Sequence, residues 1–238
     1  MRYTKLLTAI EGLIFGISMF FFRLDKDGGP EGYNSQNVYG QEAQLYHNSV
    51  NYPENRNLLF SDLLGFLSVD GTAVDYPVMR DRTSSEGNYY YLTHNFRGEP
   101  DRSGCPFVRQ SQDLDDDIIT IFAHNNSNGT MFADLEKFED ESFFNEYGSV
   151  VFDTLEGHRE YSVIALLDVA VYGGDFSFWG WENFPCEEDE LFFIEQIMSL
   201  SKYRISEELQ PGNSYLMLVT CEYSHDNGRR IVVAVRTA

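Results

Sequence analysis

Beyond residue 63 the chain is a run of short apolar and aromatic segments separated by turn residues, and this pattern constrains the fold more than any other feature. Residues 64–69 and 73–78 flank Asp70-Gly71, a hairpin-type turn signal. Residues 88–92 form a short aromatic run, and 117–122 (DIITIF) read as a strand ending just before His124. Residues 149–153 and 161–171 read as strands joined by a turn near Gly157, and 214–220 and 231–235 close the chain as strands. The 15 Tyr and 19 Phe lean the same way. Helical spacing appears twice: over 130–138, where Met131, Leu135 and Phe138 recur, and over 189–200, where Leu191, Ile194, Ile197 and Met198 are expected to share one face. Many short strands with helices inserted predict a mainly β barrel or sandwich rather than a βαβ sheet.

The amino terminus is different. Residues 6–22 (LLTAIEGLIFGISMFFF) lie at the lower limit of the ~17–25 residues that span hydrocarbon, and Glu11 interrupts them. Arg2 and Lys5 precede the run and Arg23 and Lys26 follow it, so flanking charge sets no orientation. The expectation is a membrane anchor, with a cleaved signal and a buried core helix as alternatives. A polar linker (DKDGGPEG) ends this unit at residue 32. Residues 33–60 are expected to form one or two short helices that extend the domain 33–238.

Net charge is −21, all of it on residues 33–238. A surface this acidic repels phosphate, which argues against a nucleic-acid partner. It reads as a well-hydrated face, with attraction of a cationic substrate as the sharper reading.

Chemistry concentrates near the carboxyl end. Cys105, Cys186 and Cys221 show no C-x-x-C or zinc spacing. Cys186 precedes Glu187, Glu188 and Asp189, which disfavour a thiolate, and Cys105 precedes a proline in a packed-looking run. Cys221 follows the strand YLMLVT, and Arg230 begins the strand RIVVAV. With 222–229 as the loop, antiparallel pairing would set Cys221 opposite Arg230, where a guanidinium favours a thiolate and can hold an oxyanion. A cysteine nucleophile needs a general acid/base. His124, at a strand end before an Asn/Ser/Gly loop, and His225, close to Cys221, are the two candidates. His47 and His158 read as surface residues and His94 as packing. Asp113, Asp115, Asp116 and Asp117 fail the EF-hand pattern, with Ile118 and His124 where Gly and Glu are required.

The closing stretch LMLVTCEYSHDNGRRIVVAVR resembles the signature of sortases, whose nucleophile lies in a Thr-Leu-x-Thr-Cys strand. Leu218, Thr220 and Cys221 match it, and Met217 replaces the first Thr. ITIFAHNNSNGTMFADL resembles the histidine region of class B, with Ala123 where the family usually has Gly. DGTAVDYPV and YYYLTHNF are similar to class B as well.

The resemblance implies a membrane-anchored transpeptidase of Gram-positive bacteria, single-pass, with its catalytic domain outside the cell and no cofactor. It implies an eight-stranded β-barrel with amino-terminal helices and a helix, suited by 189–200, between the sixth and seventh strands. Cys221 would cleave an N-P-x-T-x type sorting signal on surface proteins after Thr and pass the acyl group to a peptidoglycan amine, with His124 as acid/base. The family's arginine directly precedes the apolar run of its strand, which selects Arg230. Asn88, Leu92, Thr220 and Glu222 would line the substrate groove. A pilin-polymerising enzyme with a lysine acceptor, and a non-catalytic surface-binding module, are the alternatives.

Overall fold

The computed structural model describes residues 62–81, 90–154, 156–170, 176, 178–203, 209–223 and 227–238. The apolar run 6–22, the extension 33–60, Asn88, His47 and His225 lie outside the described residues.

The strand segments close into one barrel. Strand β1 (Leu63–Val69) turns through Gly71, at φ 72°, into β2 (Asp75–Arg80), pairing Leu67 with Tyr76. Strand β2 runs parallel to the short β3 (Phe107–Val108), and β3 pairs antiparallel with β4 (Ile118–Phe122). The carboxyl-terminal strands β7 (Tyr215–Glu222) and β8 (Gly228–Arg236) then enter, β7 parallel to β4 and β8 antiparallel to β7. Strands β5 (Ser149–Thr154) and β6 (Glu160–Ala170) complete the circuit, β6 on β8 and β5 back on β1. The order is β1-β2-β3-β4-β7-β8-β6-β5, closed, which leaves no sheet edge. Of the two architectures the pattern allowed, the barrel is the one formed.

Strands β4, β7 and β8 are buried on both faces. That explains why they read as unbroken apolar runs rather than alternating ones.

The helix between β6 and β7 is α2 (Glu187–Leu200), following the short α1 (Glu141–Glu146). Its buried face is rotated from the expected one. Glu190, Phe193, Ile194 and Ile197 point inward, while Leu191 and Met198 are 45% and 49% exposed. The cause is polar: the Glu190 carboxylate accepts hydrogen bonds from Gly212 N (2.6 Å), Asn213 N (3.1 Å) and the Tyr215 hydroxyl (3.0 Å). These bonds tie the helix to the start of β7, and a buried carboxylate is tolerated only with such partners.

The helix expected over 130–138 is a 3-10 segment, Ala133–Glu139. It starts late because Gly129 (φ 80°) and Met131 (φ 59°) are left-handed, and Asn125 bridges to Met131 across a tight loop. The aromatic run at 88–92 gives a 3-10 turn, Tyr90–Leu92.

Candidate active site

Two strand ends and one loop meet at Cys221. Strand β4 pairs with β7 in parallel, with Phe122 level with Val219. Past the strand end the ladder continues: Ala123 N donates to Val219 O (3.2 Å), and the Thr220 hydroxyl donates to Ala123 O (2.8 Å). Two residues beyond Phe122, His124 is therefore level with Cys221 on the neighbouring strand. The Asn125 amide fastens this junction, donating to Cys221 O (3.1 Å) and to the Glu136 carboxylate (2.8 Å). The Tyr223 hydroxyl donates to Asn125 O (2.8 Å).

The other neighbour corrects the expected register. In the β7–β8 hairpin Thr220 pairs with Arg230, Cys221 with Arg229, and Glu222 with Gly228. The loop is shorter than 222–229, because Glu222 and Gly228 still belong to the strands, and Asn227 just before Gly228 is left-handed (φ 58°). Gly228 is needed there, since a Cβ would lie 2.7 Å from Glu222 Oε2 and 2.8 Å from its carbonyl oxygen.

Successive side chains on a strand point to opposite faces, so this one-residue shift exchanges the two arginines. Arg229 shares a face with Cys221. Its guanidinium is only 4% exposed, has no carboxylate partner among the described residues, and leaves Nε without a hydrogen-bond acceptor. Nη1 donates to Gly228 O (2.7 Å). Arg230 lies on the opposite face with Thr220 and Asp168. It is 3% exposed and consumed by carboxylates: Nε and Nη2 donate to Asp168 (2.9 and 3.0 Å), and Nη2 also donates to Glu139.

His124 is half-buried, with Nε2 2.8 Å from Leu92 O. Desolvation pushes its pKa below the usual histidine value; the Leu92 contact opposes this, and the Arg229 cation adds to it. The electrostatic effect of Arg229 on His124 is what the row His124, Cys221, Arg229 requires.

The remaining cysteines are as the sequence suggested. Cys105 is buried, its thiol against Pro77 O (3.5 Å) and pushed well up by desolvation. Cys186 is exposed and donates to Asp189 (3.1 Å), which raises it. Cys221 is half-buried, at a strand end with a histidine and an arginine on either side.

The substrate-groove expectations fare unevenly. Thr220 is buried and faces away from Cys221, its hydroxyl serving the Ala123 carbonyl. The Leu92 side chain is buried, and its main-chain oxygen rather than its side chain reaches the site. Glu222 is half-buried beside Cys221.

His94 stacks on Tyr90 (3.8 Å between ring centroids), and exposed His158 sits between Asp153 and Glu160. In the acidic turn, Asp113 N donates to Asp116, and Asp116 and Asp117 accept from Asn183 and from Phe184 N. These bonds stitch the turn to the segment before α2, and the described residues hold no cluster of three or more metal-ligating side chains.

Two residues outside the sequence-based expectations stand next to Cys221: Arg229, paired with it, and Asn125, whose amide donates to its carbonyl. Asn227-Gly228 carried the signal for Arg229, had Gly228 been counted in the strand. Asn125 carried its signal only in the histidine-region resemblance, whose run includes the Asn after His124.

No family model matches the chain. It is 28% identical to the sortase B of Listeria monocytogenes over 73% of its length and 69% of that protein. It is 25% identical to that of Staphylococcus aureus over the same shares. The Clostridium perfringens sortase B structure superposes with TM-score 0.70 and 28% identity, covering 78% of this chain and all of that one. A Staphylococcus aureus sortase B–substrate complex shares the fold (TM-score 0.73, 21% identity, 85% of this chain and 95% of that one). The closed barrel, the helix between its sixth and seventh strands and these likenesses converge on one family: in sequence and in fold the chain is similar to the class B sortases, and it reads as a cysteine transpeptidase of their kind.

Proposed function

We propose that the chain cleaves an N-P-x-T-x type sorting signal after its threonine and joins the acyl group to a peptidoglycan cross-bridge amine, with Cys221, His124 and Arg229 as the catalytic residues. The single observation that carries this reading is the pairing of Cys221 with Arg229 in the β7–β8 hairpin, beside the end of β4 that leads into His124 and is tied to Cys221 O by Asn125.

Each member has a role its environment suits. Burial shifts the His124 ring towards its neutral form, the form that accepts the thiol proton. The Cys221 sulfur attacks the threonine carbonyl carbon, and the carbonyl oxygen takes the electron pair. Arg229, with its buried Nε lacking an acceptor, supplies donors for that oxyanion at no further desolvation cost. As the C–N bond breaks, His124 returns the proton to the leaving amine and a thioester remains on Cys221. An incoming amine then attacks the thioester, His124 takes its surplus proton, and the thiol is regenerated. Arg229 thus takes the part that the family pattern assigned to Arg230, whose donors are held by Asp168 and Glu139.

A Staphylococcus aureus sortase B of the same fold is known in complex with its substrate, which supports substrate binding on this barrel. The apolar run 6–22 supports a membrane-anchored enzyme.

The test is to incubate the protein with a panel of N-P-x-T-x peptides, with triglycine or a lysine peptide as acceptor, and to weigh the products. An acyl adduct on Cys221 that moves to the amine is expected. No adduct with any peptide, or an adduct on Cys105 or Cys186, would sink the reading.

A further inference from the structure

One contact on His124 has no part in the chemistry above. The 3-10 turn Tyr90–Leu92 brings the Leu92 carbonyl to 2.8 Å from Nε2. A carbonyl oxygen only accepts, so Nε2 carries the ring proton and a neutral ring is left with its lone pair on Nδ1.

This approach depends on Gly104. The residue is left-handed (φ +65°), and a Cβ there would lie 2.6 Å from Tyr91 O, 3.0 Å from Leu92 O and 3.2 Å from His124 Cδ2. No side chain fits between the loop and the imidazole. The loop is also stitched to itself: Thr93 N donates to Tyr90 O (3.2 Å), Asp101 N to Thr93 O (2.8 Å), and Cys105 N to Tyr91 O (2.8 Å). The carbonyl that meets His124 therefore sits on a braced segment.

We propose that the 90–105 loop is a tautomer clamp. The Leu92 carbonyl holds His124 as the Nε2–H tautomer, Gly104 keeps the space that lets it do so, and Nδ1 becomes the atom that takes and returns the proton. Leu92 and Gly104 are positioning residues that act through His124, and their part in turnover rests on the acid/base reading of that histidine. In a cysteine–histidine–carboxylate triad a third side chain would orient the ring. Here a main-chain oxygen does, and it adds no negative charge.

The clamp is read directly from the ring nitrogens of the full-length protein labelled with ¹⁵N-histidine, with His124→Gln identifying the His124 signals. Above its pKa, wild-type His124 should show a protonated Nε2 and a bare Nδ1. A protonated Nδ1, or an even mixture, overturns the proposal without any activity measurement.

Gly104→Ala should mix the tautomers and lower kcat by about 10²-fold with KM nearly unchanged, the scale of a 1 Å misplacement of a catalytic group. Gly98→Ala is the matched control. Gly98 is also left-handed (φ +77°) in the same loop, but a Cβ there meets only the Tyr90 hydroxyl (3.2 Å). It should leave both kcat and tautomer within twofold of wild type. An equal loss in Gly98→Ala would overturn the clamp in favour of loop strain. Should Gly104→Ala fail to fold, the wild-type tautomer still decides. Full turnover by His124→Gln would overturn the acid/base reading instead, and that failure is distinct because the tautomer is read without turnover.

Discussion

Arg229 and Arg230 are neighbours in the chain, and both are almost wholly buried, yet they occupy two different chemical worlds. On one face of β8, Arg229 lies beside Cys221 with an unaccepted Nε and no carboxylate partner among the described residues. On the other, Arg230 is gripped by Asp168 across to β6 and by Glu139 from the 3-10 segment. A buried cation without a counter-ion is expensive, and one held by two carboxylates is satisfied. The difference separates a cation whose Nε is left without an acceptor, as the proposed oxyanion role requires, from one that fastens elements together. The pleat of one strand keeps the two jobs from interfering.

The comparison breaks most visibly at the nucleophile. Cys221→Ala should abolish thioester formation and transpeptidation with the thermal midpoint little changed, whereas Cys105→Ala and Cys186→Ala should both still turn over. Mass spectrometry of the trapped acyl-enzyme reads all three.

The next largest effect belongs to the reactive arginine. Arg229→Ala should lower kcat by ~10²–10³-fold, the usual loss for an oxyanion donor. It should also move His124. Burial is the main reason that histidine is depressed, and the Arg229 cation depresses it further, so removing the cation lets its pKa rise towards the usual histidine value. Arg229→Lys should keep the histidine where it is but stay slow, because the planar fork is gone. Ring titration by NMR beside steady-state kinetics separates these two outcomes. Wild-type turnover in Arg229→Ala would return the role to Arg230.

Arg230 should show the reverse profile. Arg230→Met leaves Asp168 and Glu139 without their cation. Their side chains are 25% and 48% exposed and can partly rehydrate, so the loss is about 2 kcal/mol rather than the ~3–5 kcal/mol of a fully buried pair. Turnover per folded molecule should fall by less than tenfold. Adding Asp168→Leu should recover most of the stability, since an apolar pair can replace a buried ionic one. Denaturant unfolding of the single and double variants checks this. A dead but fully stable Arg230→Met enzyme would contradict the division of labour.

How legible this was follows the same divide. The strand segments and the helix before β7 could be read from β-branched and aromatic runs and from helical spacing, because burial on both faces leaves little else those residues could do. Cys186 could be set aside by the acidic residues written beside it and Cys105 by its apolar run, and each sits as that implies. Two things could not be read locally. The hairpin register turned on whether Gly228 ends the loop or starts the strand, and Asn-Gly is turn chemistry in sequence even though Gly228 already pairs in the strand here. The inward face of α2 turned on Glu190, a charged residue that belongs inside only because Gly212, Asn213 and Tyr215 arrive from β7's approach. The Leu92 carbonyl has no side-chain signature at all.

The smallest effect, at Thr220, sharpens the comparison most finely, since this residue stands in the Arg230 row yet touches the backbone that carries His124. Its buried hydroxyl donates to the Ala123 carbonyl at 2.8 Å, one residue before the histidine. Thr220→Val keeps the shape and removes that one donor. The carbonyl keeps its place in the ladder, so the loss should be about 1 kcal/mol, a net hydrogen bond rather than a stranded charge. For a domain of this size that lowers the thermal midpoint by ~2–4 °C. Any loss of turnover should appear in kcat and stay below tenfold, because the Asn125 amide still ties the histidine loop to the Cys221 carbonyl. Were Thr220 a wall of the substrate groove, as the family pattern implied, Thr220→Val would instead raise KM for the peptide and leave the midpoint unmoved. Calorimetry and a peptide titration on the same variant decide which row Thr220 serves.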